Sequence, residues 1–165
     1  MPPSQPVPLA LDYANTLSAS RGRTSDHLDA WLAGRAVESA PRFRELRDSI
    51  RTLITAAAER EPFPEPALAT LNAASAGAPR WLELTGDGDV VAHTLAGDEA
   101  DRLLADVARS AVELLADDQQ ADLRACQAPG CVQFFVRTHH RQEFCGAACG
   151  NRARAARHYQ RRREQ

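Results

Sequence analysis

Residues 126–152 read CQAPGCVQFFVRTHHRQEFCGAACGNR, and the cysteines in this stretch decide how the rest of the chain is read. Cys126, Cys131, Cys145 and Cys149 are the only four cysteines among 165 residues, in the pattern C-x4-C-x13-C-x3-C. Two close pairs joined by a short arm suit one tetrahedral zinc ion, because each pair must turn tightly enough to bring both sulfurs to about 2.3 Å from the metal. Pro129-Gly130 supplies such a turn before Cys131. VQFFV and EFC are strand-like and RTHHRQ turn-like, which predicts a short hairpin between the pairs. From Ala147 to Arg163 the composition is helical and places Cys149 in the first turn, where backbone N–H groups ease the negative charge of a four-thiolate centre. Knuckle, hairpin and helix in that order predict a treble-clef-like finger holding one structural zinc ion. Redox-active thiols and a disulfide are the competing readings, and a reducing compartment disfavours the disulfide. His139 and His140 fall on the hairpin turn, and four cysteines suffice without them.

Charge divides the chain at the same place. Residues 1–123 hold 11 arginines and 20 acidic residues, a balance of −9, whereas residues 124–165 hold 9 arginines and 2 acidic residues, a balance of +7. The net charge of −2 therefore hides a dipole along the chain. All 20 basic residues are arginine, as a GC-rich genome would produce, so the density of arginine carries information and its identity does not. The start MPPSQPVPLA has neither a basic nor an apolar signal region, and no run of about 18 apolar residues occurs anywhere. No membrane association and a cytoplasmic, bacterial setting are expected.

Upstream of the cysteines the periodicity is mainly helical. After Pro2, Pro3, Pro6 and Pro8, LALDYANTL places Leu9, Tyr13 and Leu17 on one helical face, with residues 21–24 as a loop. Ser25 or Asp26 can cap a short helix ending near Gly34. Pro41 to Arg60 repeats Phe43, Leu46, Ile50, Leu53, Ile54 and Ala57 at steps of three and four behind a proline suited to a helix start. Pro66 to Ala76 predicts another helix. RWLELT and VVAHTL alternate in period two around Gly86-Asp87-Gly88-Asp89, a β-hairpin signal near residues 80–95. Asp98 then caps a helix carrying Leu103, Leu104, Val107, Ala111, Leu114 and Leu115. The expected fold is mostly α with a small β-hairpin in the N-terminal domain (α+β), residues 1–120, followed by the zinc finger and basic helix, residues 121–165. The boundary is expected at Asp117-Asp118-Gln119-Gln120.

Cys149-Gly150-Asn151-Arg152 resembles the signature of the CGNR zinc finger family, and the ARAARHYQRRR that follows is similar to that family's basic helix. LDYANTL, HLDAWL and RELRDSI resemble, in order, the opening segments of the ABATE domain, the usual N-terminal partner of CGNR fingers. The resemblance implies a stress-induced transcriptional regulator whose basic finger binds DNA. The chain departs from common relatives at Thr138, where an acidic residue is frequent, and at Phe144, where Trp is.

On a helical projection Arg154, Arg157, His158 and Arg161 form one face, extended by Arg162, while Cys149, Arg152, Ala156 and Tyr159 lie toward the other and can pack on the finger. The first face suits a phosphate backbone or major groove. Arg152 is expected to brace the knuckle through its carbonyls, a structural role it shares with Gly150 and Asn151. One short helix reads only about 3–4 base pairs, so a homodimer or a second contact is implied for a specific regulator. RNA binding, or docking as an adaptor on an acidic protein or on the chain's own acidic half, are the alternatives. Asp12 and Asn15 could line a small-molecule effector pocket; capping or helix-to-helix hydrogen bonds are the plainer roles. His27 and His93 have no matched partner in sequence and are read as structural or surface groups. No nucleophile elbow, phosphate loop or paired-carboxylate signature occurs, and an enzyme is not expected.

Overall fold

In the computed structural model, residues 7–20, 22–95, 97–116 and 118–163 are described. Pro2, Pro3, Pro6, Arg21 and Asp117 lie outside them. The strongest helical repeat forms α3, Pro41–Glu59, with Pro41 in its first turn. Arg60 ends it in the left-handed region at φ 62° and donates its N–H to the carbonyls of the last turn. Phe43, Leu46, Ile50, Leu53, Ile54 and Ala57 are all buried, so one face of α3 is the spine of the core. Against it lie α1 (Leu9–Ala14), α4 (Glu65–Ala76) and α5 (Glu99–Ala116). Asp98 caps α5 by accepting from the Asp101 N–H at 2.9 Å, and Leu104, Val107, Ala111, Leu114 and Leu115 face inward. Tyr13 is fully buried, and its hydroxyl donates to the Phe43 carbonyl at 2.5 Å. The short α2, Leu28–Ala33, closes one side with Leu28 and Leu32.

Two local pairings differ from the sequence expectation. The helix expected through Leu17 stops at Ala14, because the Thr16 hydroxyl donates to the Tyr13 carbonyl at 2.8 Å and turns the chain. Leu17–Ser20 (β1) then pairs with Arg23–Asp26 (β2) across Gly22, whose φ of 77° suits glycine, in place of the expected loop. Further on, Phe134–Val136 (β6) pairs not with residues 143–145 but with Leu123–Ala125 (β5), in the register Leu123↔Val136 and Ala125↔Phe134. The reason is burial: Leu123 and Phe134 belong to the same apolar cluster as α1, α3 and α5, and a partner at 143–145 would not reach it. The expected boundary at residue 120 falls within the single 3₁₀ turn Asp118–Asp122 that leads into β5.

As expected, Arg80–Leu84 (β3) pairs with Val90–Thr94 (β4). His93 has a partner after all: its Nε2 lies 2.6 Å from a Glu83 carboxylate oxygen, and its ring stacks on Trp81. Among the described residues no helix is long and apolar enough to cross a membrane.

Arg47 interrupts the apolar face of α3. Its side chain is 4% exposed and donates to Asp26 at 2.6 Å and to Asp48 at 3.1 Å. Asp26 also accepts the Leu28 N–H at 3.0 Å, joining β2, the start of α2 and α3. The hydrogen bond from Arg47 holds the Asp26 carboxyl below the usual carboxylate range. A depressed folded-state pKa stabilises above the unfolded value and ceases to do so as pH falls through the folded one. Wild-type chain should therefore lose stability below about pH 4. Asp26→Asn should unfold about 1–3 kcal/mol more easily at neutral pH, with a smaller acid-side decline, in urea titrations across pH.

Candidate metal centre and nucleic-acid interface

The turn between β5 and β6 forms the first half of the centre. Cys126 follows β5 directly and donates its N–H to the Gln133 carbonyl at 2.9 Å, while the Cys131 N–H reaches the Ala128 carbonyl at 3.0 Å. Gly130, at φ 68°, occupies the position where a side chain would be strained. The second half is the start of α6, Ala147–Arg163, which carries Cys149 in its first turn just after Cys145. The Gln127 N–H donates to the Glu143 carbonyl at 3.1 Å and ties the halves together.

All four Sγ atoms lie within 4.8 Å of one another. Sγ–Sγ separations of 3.5 Å for Cys145–Cys149, 3.7 Å for Cys149–Cys131 and 4.0 Å for Cys131–Cys145 bracket the roughly 3.8 Å edge of a tetrahedron built on Zn–S bonds of about 2.3 Å. Donors from the surrounding chain are aimed at the sulfurs: the Cys145 N–H at Cys126 Sγ, 3.3 Å, and the Arg152 guanidinium at Cys149 Sγ, 3.2 Å. Burial raises the Cys126 thiol, but the N–H groups of Cys145 and Ala128 outweigh it and hold that thiol below its ordinary value. Cys131 and Cys145 are pushed up, by burial first and then by neighbouring sulfurs. Four thiolates so close together require a cation between them, and Zn²⁺ fits both the donor set and the geometry. His139 and His140 are exposed on the turn after β6 and are not members of the cluster.

Arg152 thus braces a ligand sulfur. Gly150 is buried against Phe144, and Asn151 accepts a hydrogen bond from Arg154. Ala153 is buried and Ala156 half-buried, so α6 packs on the finger for about two turns. Beyond them the helix overshoots the finger. Arg157, His158, Arg161 and Arg162 are exposed, as is Arg154. Tyr159, expected on the packed face, is 68% exposed for the same reason. Among the described residues no carboxylate pairs with Arg154, Arg157, Arg161, Arg162 or Arg163.

Sequence reasoning missed the residues that seat the finger. Asn15 grips the backbone of β6 with both ends of its amide: Nδ2 donates to the Phe134 carbonyl and Oδ1 accepts the Phe134 N–H, each at 2.9 Å. Gln133 returns the contact, donating to the carbonyls of Asn15 and Leu17 at 3.1 and 2.9 Å. Arg51 donates to the carbonyls of Ala14 and Val132 at 2.7 and 2.8 Å and lies 4.8 Å over the Phe134 ring. Arginine at 47 and 51, one turn apart beside the apolar stripe of α3, was the available signal. Asp12 accepts from Trp31 Nε1 at 2.7 Å and lies 3.6 Å from Arg35. Asp12 and Asn15 border an open cleft of about 610 Å³, and both are engaged within the chain.

One zinc ion per chain is expected by native mass spectrometry, with loss of α6 helicity on chelation; a metal-free chain with unchanged circular dichroism would contradict this. Asn15→Ala should cost about 1–3 kcal/mol and accelerate hydrogen exchange at the Phe134 amide while zinc remains bound.

Two family models match the chain. Residues 8–118 match ABATE, described as a "putative stress-induced transcription regulator", and residues 123–162 match the CGNR zinc finger. A search of curated proteins finds no match. With the opening motif of the first model gripping the hairpin of the second, and four cysteines gathered as a zinc finger requires, the chain belongs to the ABATE family and carries a CGNR zinc finger.

Proposed function

We propose that the protein is a cytoplasmic DNA-binding transcriptional regulator in which zinc fixes the base of α6 and the projecting arginines grip the duplex. The observation that carries this reading is the exposed positive charge of α6, borne by Arg154, Arg157, Arg161, Arg162 and Arg163. Residues 147–163 hold six arginines and no acidic residue. Several arginines elsewhere have carboxylate partners close by: Arg42 with Asp101, Arg44 with Asp29, Arg102 with Glu99, Arg109 with Asp106. A helix kept basic on every side, anchored at one end by a metal centre, suits insertion between phosphate backbones better than packing on protein. Arg154, Arg157, His158, Arg161 and Arg162 are its contact residues. Arg152, bound to Cys149, holds the helix in place and reads no base.

Exposure of Tyr159 among these arginines favours a second reading, single-stranded or structured RNA, because an aromatic ring between guanidinium groups offers a stacking platform. Competition between duplex DNA and structured RNA separates the two.

Duplex affinity should fall with salt at a log–log slope of roughly −3 to −5, for about 4–6 neutralised phosphates. Changing Arg157, Arg161 and Arg162 together to Ala should reduce affinity at least tenfold and flatten the slope, with zinc content unchanged. Salt-independent binding, or full binding by the triple variant, would overturn the reading.

A further inference from the structure

The β3–β4 hairpin is the one apolar element whose surface the rest of the chain leaves uncovered among the described residues. Every residue of β3 is exposed, and in β4 only His93 is half-buried. Strand alternation places Leu82, Leu84, Val90 and Ala92 on one face and Trp81, Glu83, Val91 and His93 on the other. Trp81, Leu82, Leu84, Val90, Val91 and Leu95 are between 41% and 72% exposed. A two-stranded hairpin with apolar side chains on both faces is marginal in water, and each strand has an outer edge without a partner among the described residues.

We propose that this hairpin is a self-association surface, and that a second copy of the chain pairs its β4 edge with this one around a two-fold axis. Three observations favour a copy over an unrelated partner. First, β4, VVAHT, carries no acid, lysine or arginine and is rich in β-branched residues, so it can lie beside itself in antiparallel register without repelling. Antiparallel pairing is what a two-fold axis imposes on identical strands. Secondly, that arrangement sends the acidic turns, Asp87 and Asp89, to opposite ends of the new four-stranded sheet, toward the end where the copy carries its own Arg80. The charged groups of β3 are already engaged, Arg80 with Asp106 at 3.5 Å and Glu83 with His93 at 2.6 Å, which leaves little charge to oppose association. Thirdly, Val90 and Val91, 64% and 41% exposed on opposite faces of β4, would each meet the copy's β4 across the axis, so pairing covers apolar surface on both faces of the new sheet.

The zinc-loaded full chain should sediment as a dimer at equilibrium between about 1 and 100 μM. Val90→Glu and Ala92→Glu should each weaken self-association at least tenfold. Because the hairpin packs on little else, both variants should keep the circular dichroism and zinc content of the parent. Glu113→Lys, on the exposed side of α5, should leave the dimer unchanged. A monomer throughout the range, or a dimer indifferent to both hairpin substitutions, would overturn the proposal. The outcome is independent of DNA binding, since a dimer without duplex affinity and a DNA-binding monomer are both distinguishable results.

Discussion

The architecture rests on the pair of hydrogen bonds between the Asn15 amide and the backbone of Phe134. Asparagine suits the position because its side chain carries a donor and an acceptor at the spacing of a peptide group and can substitute for a neighbouring strand. It sits where α1 ends, so the turn that stops the helix also presents the amide to β6. Once Asn15 fixes β6, the Phe134 ring enters the helical core, β5 follows as its partner, and the knuckle between them is held at a set distance from α3. Arg51 then closes over the Phe134 ring and binds carbonyls on both sides of the seam. Without the clamp, the finger would be tied to the helices by little more than its apolar contacts.

The parts legible in the sequence are those with a strict local code. Cysteine spacing identified the metal cluster, and repeats of three and four identified α3 and α5, because sulfur geometry and helical pitch leave few other solutions. The β3–β4 hairpin announced itself by alternation around a glycine-rich turn. What escaped was non-local. β2, RTSD, is polar throughout, and β1, LSAS, offers only Leu17 and Ala19 as apolar positions, too short an alternation to mark a strand. β6 paired with β5 because the core behind it rewards burial of Leu123 and Phe134, a fact that residues 126–152 alone do not contain. Arg47 and Arg51 look like surface residues in composition and act as interior ones because carboxylates and carbonyls from distant segments converge on them. Tyr159 was misplaced for a geometric reason: helical phase says which side a residue faces, not whether a neighbour extends far enough to cover it.

The opposed charges of the two halves also have a structural form. In the helical part several acidic residues are answered by arginines, as Asp29 is by Arg44, Asp101 by Arg42 and Glu99 by Arg102. In the finger, α6 contains no acidic residue, and the Arg152 guanidinium is aimed at a metal-ligand sulfur. The acidic half thus spends arginines on its own carboxylates and keeps an excess of negative charge, while the arginines toward the end of the basic helix face solvent.

β6 is three residues long, yet its two phenylalanines serve different interiors. Phe134 belongs to the cluster of the helices, and Phe135 to the small cluster around Cys126 and Ala128. A single strand is thus the common wall of both. The finger cannot then be a portable module in the manner of beads on a string. Excised, it would present Leu123 and Phe134 to water, and grafted onto another partner it would need a matching apolar socket. Insertions or deletions that shift β6 by one residue would exchange the two rings and ruin both interiors together, so the join between the halves is the part of the chain least free to change length.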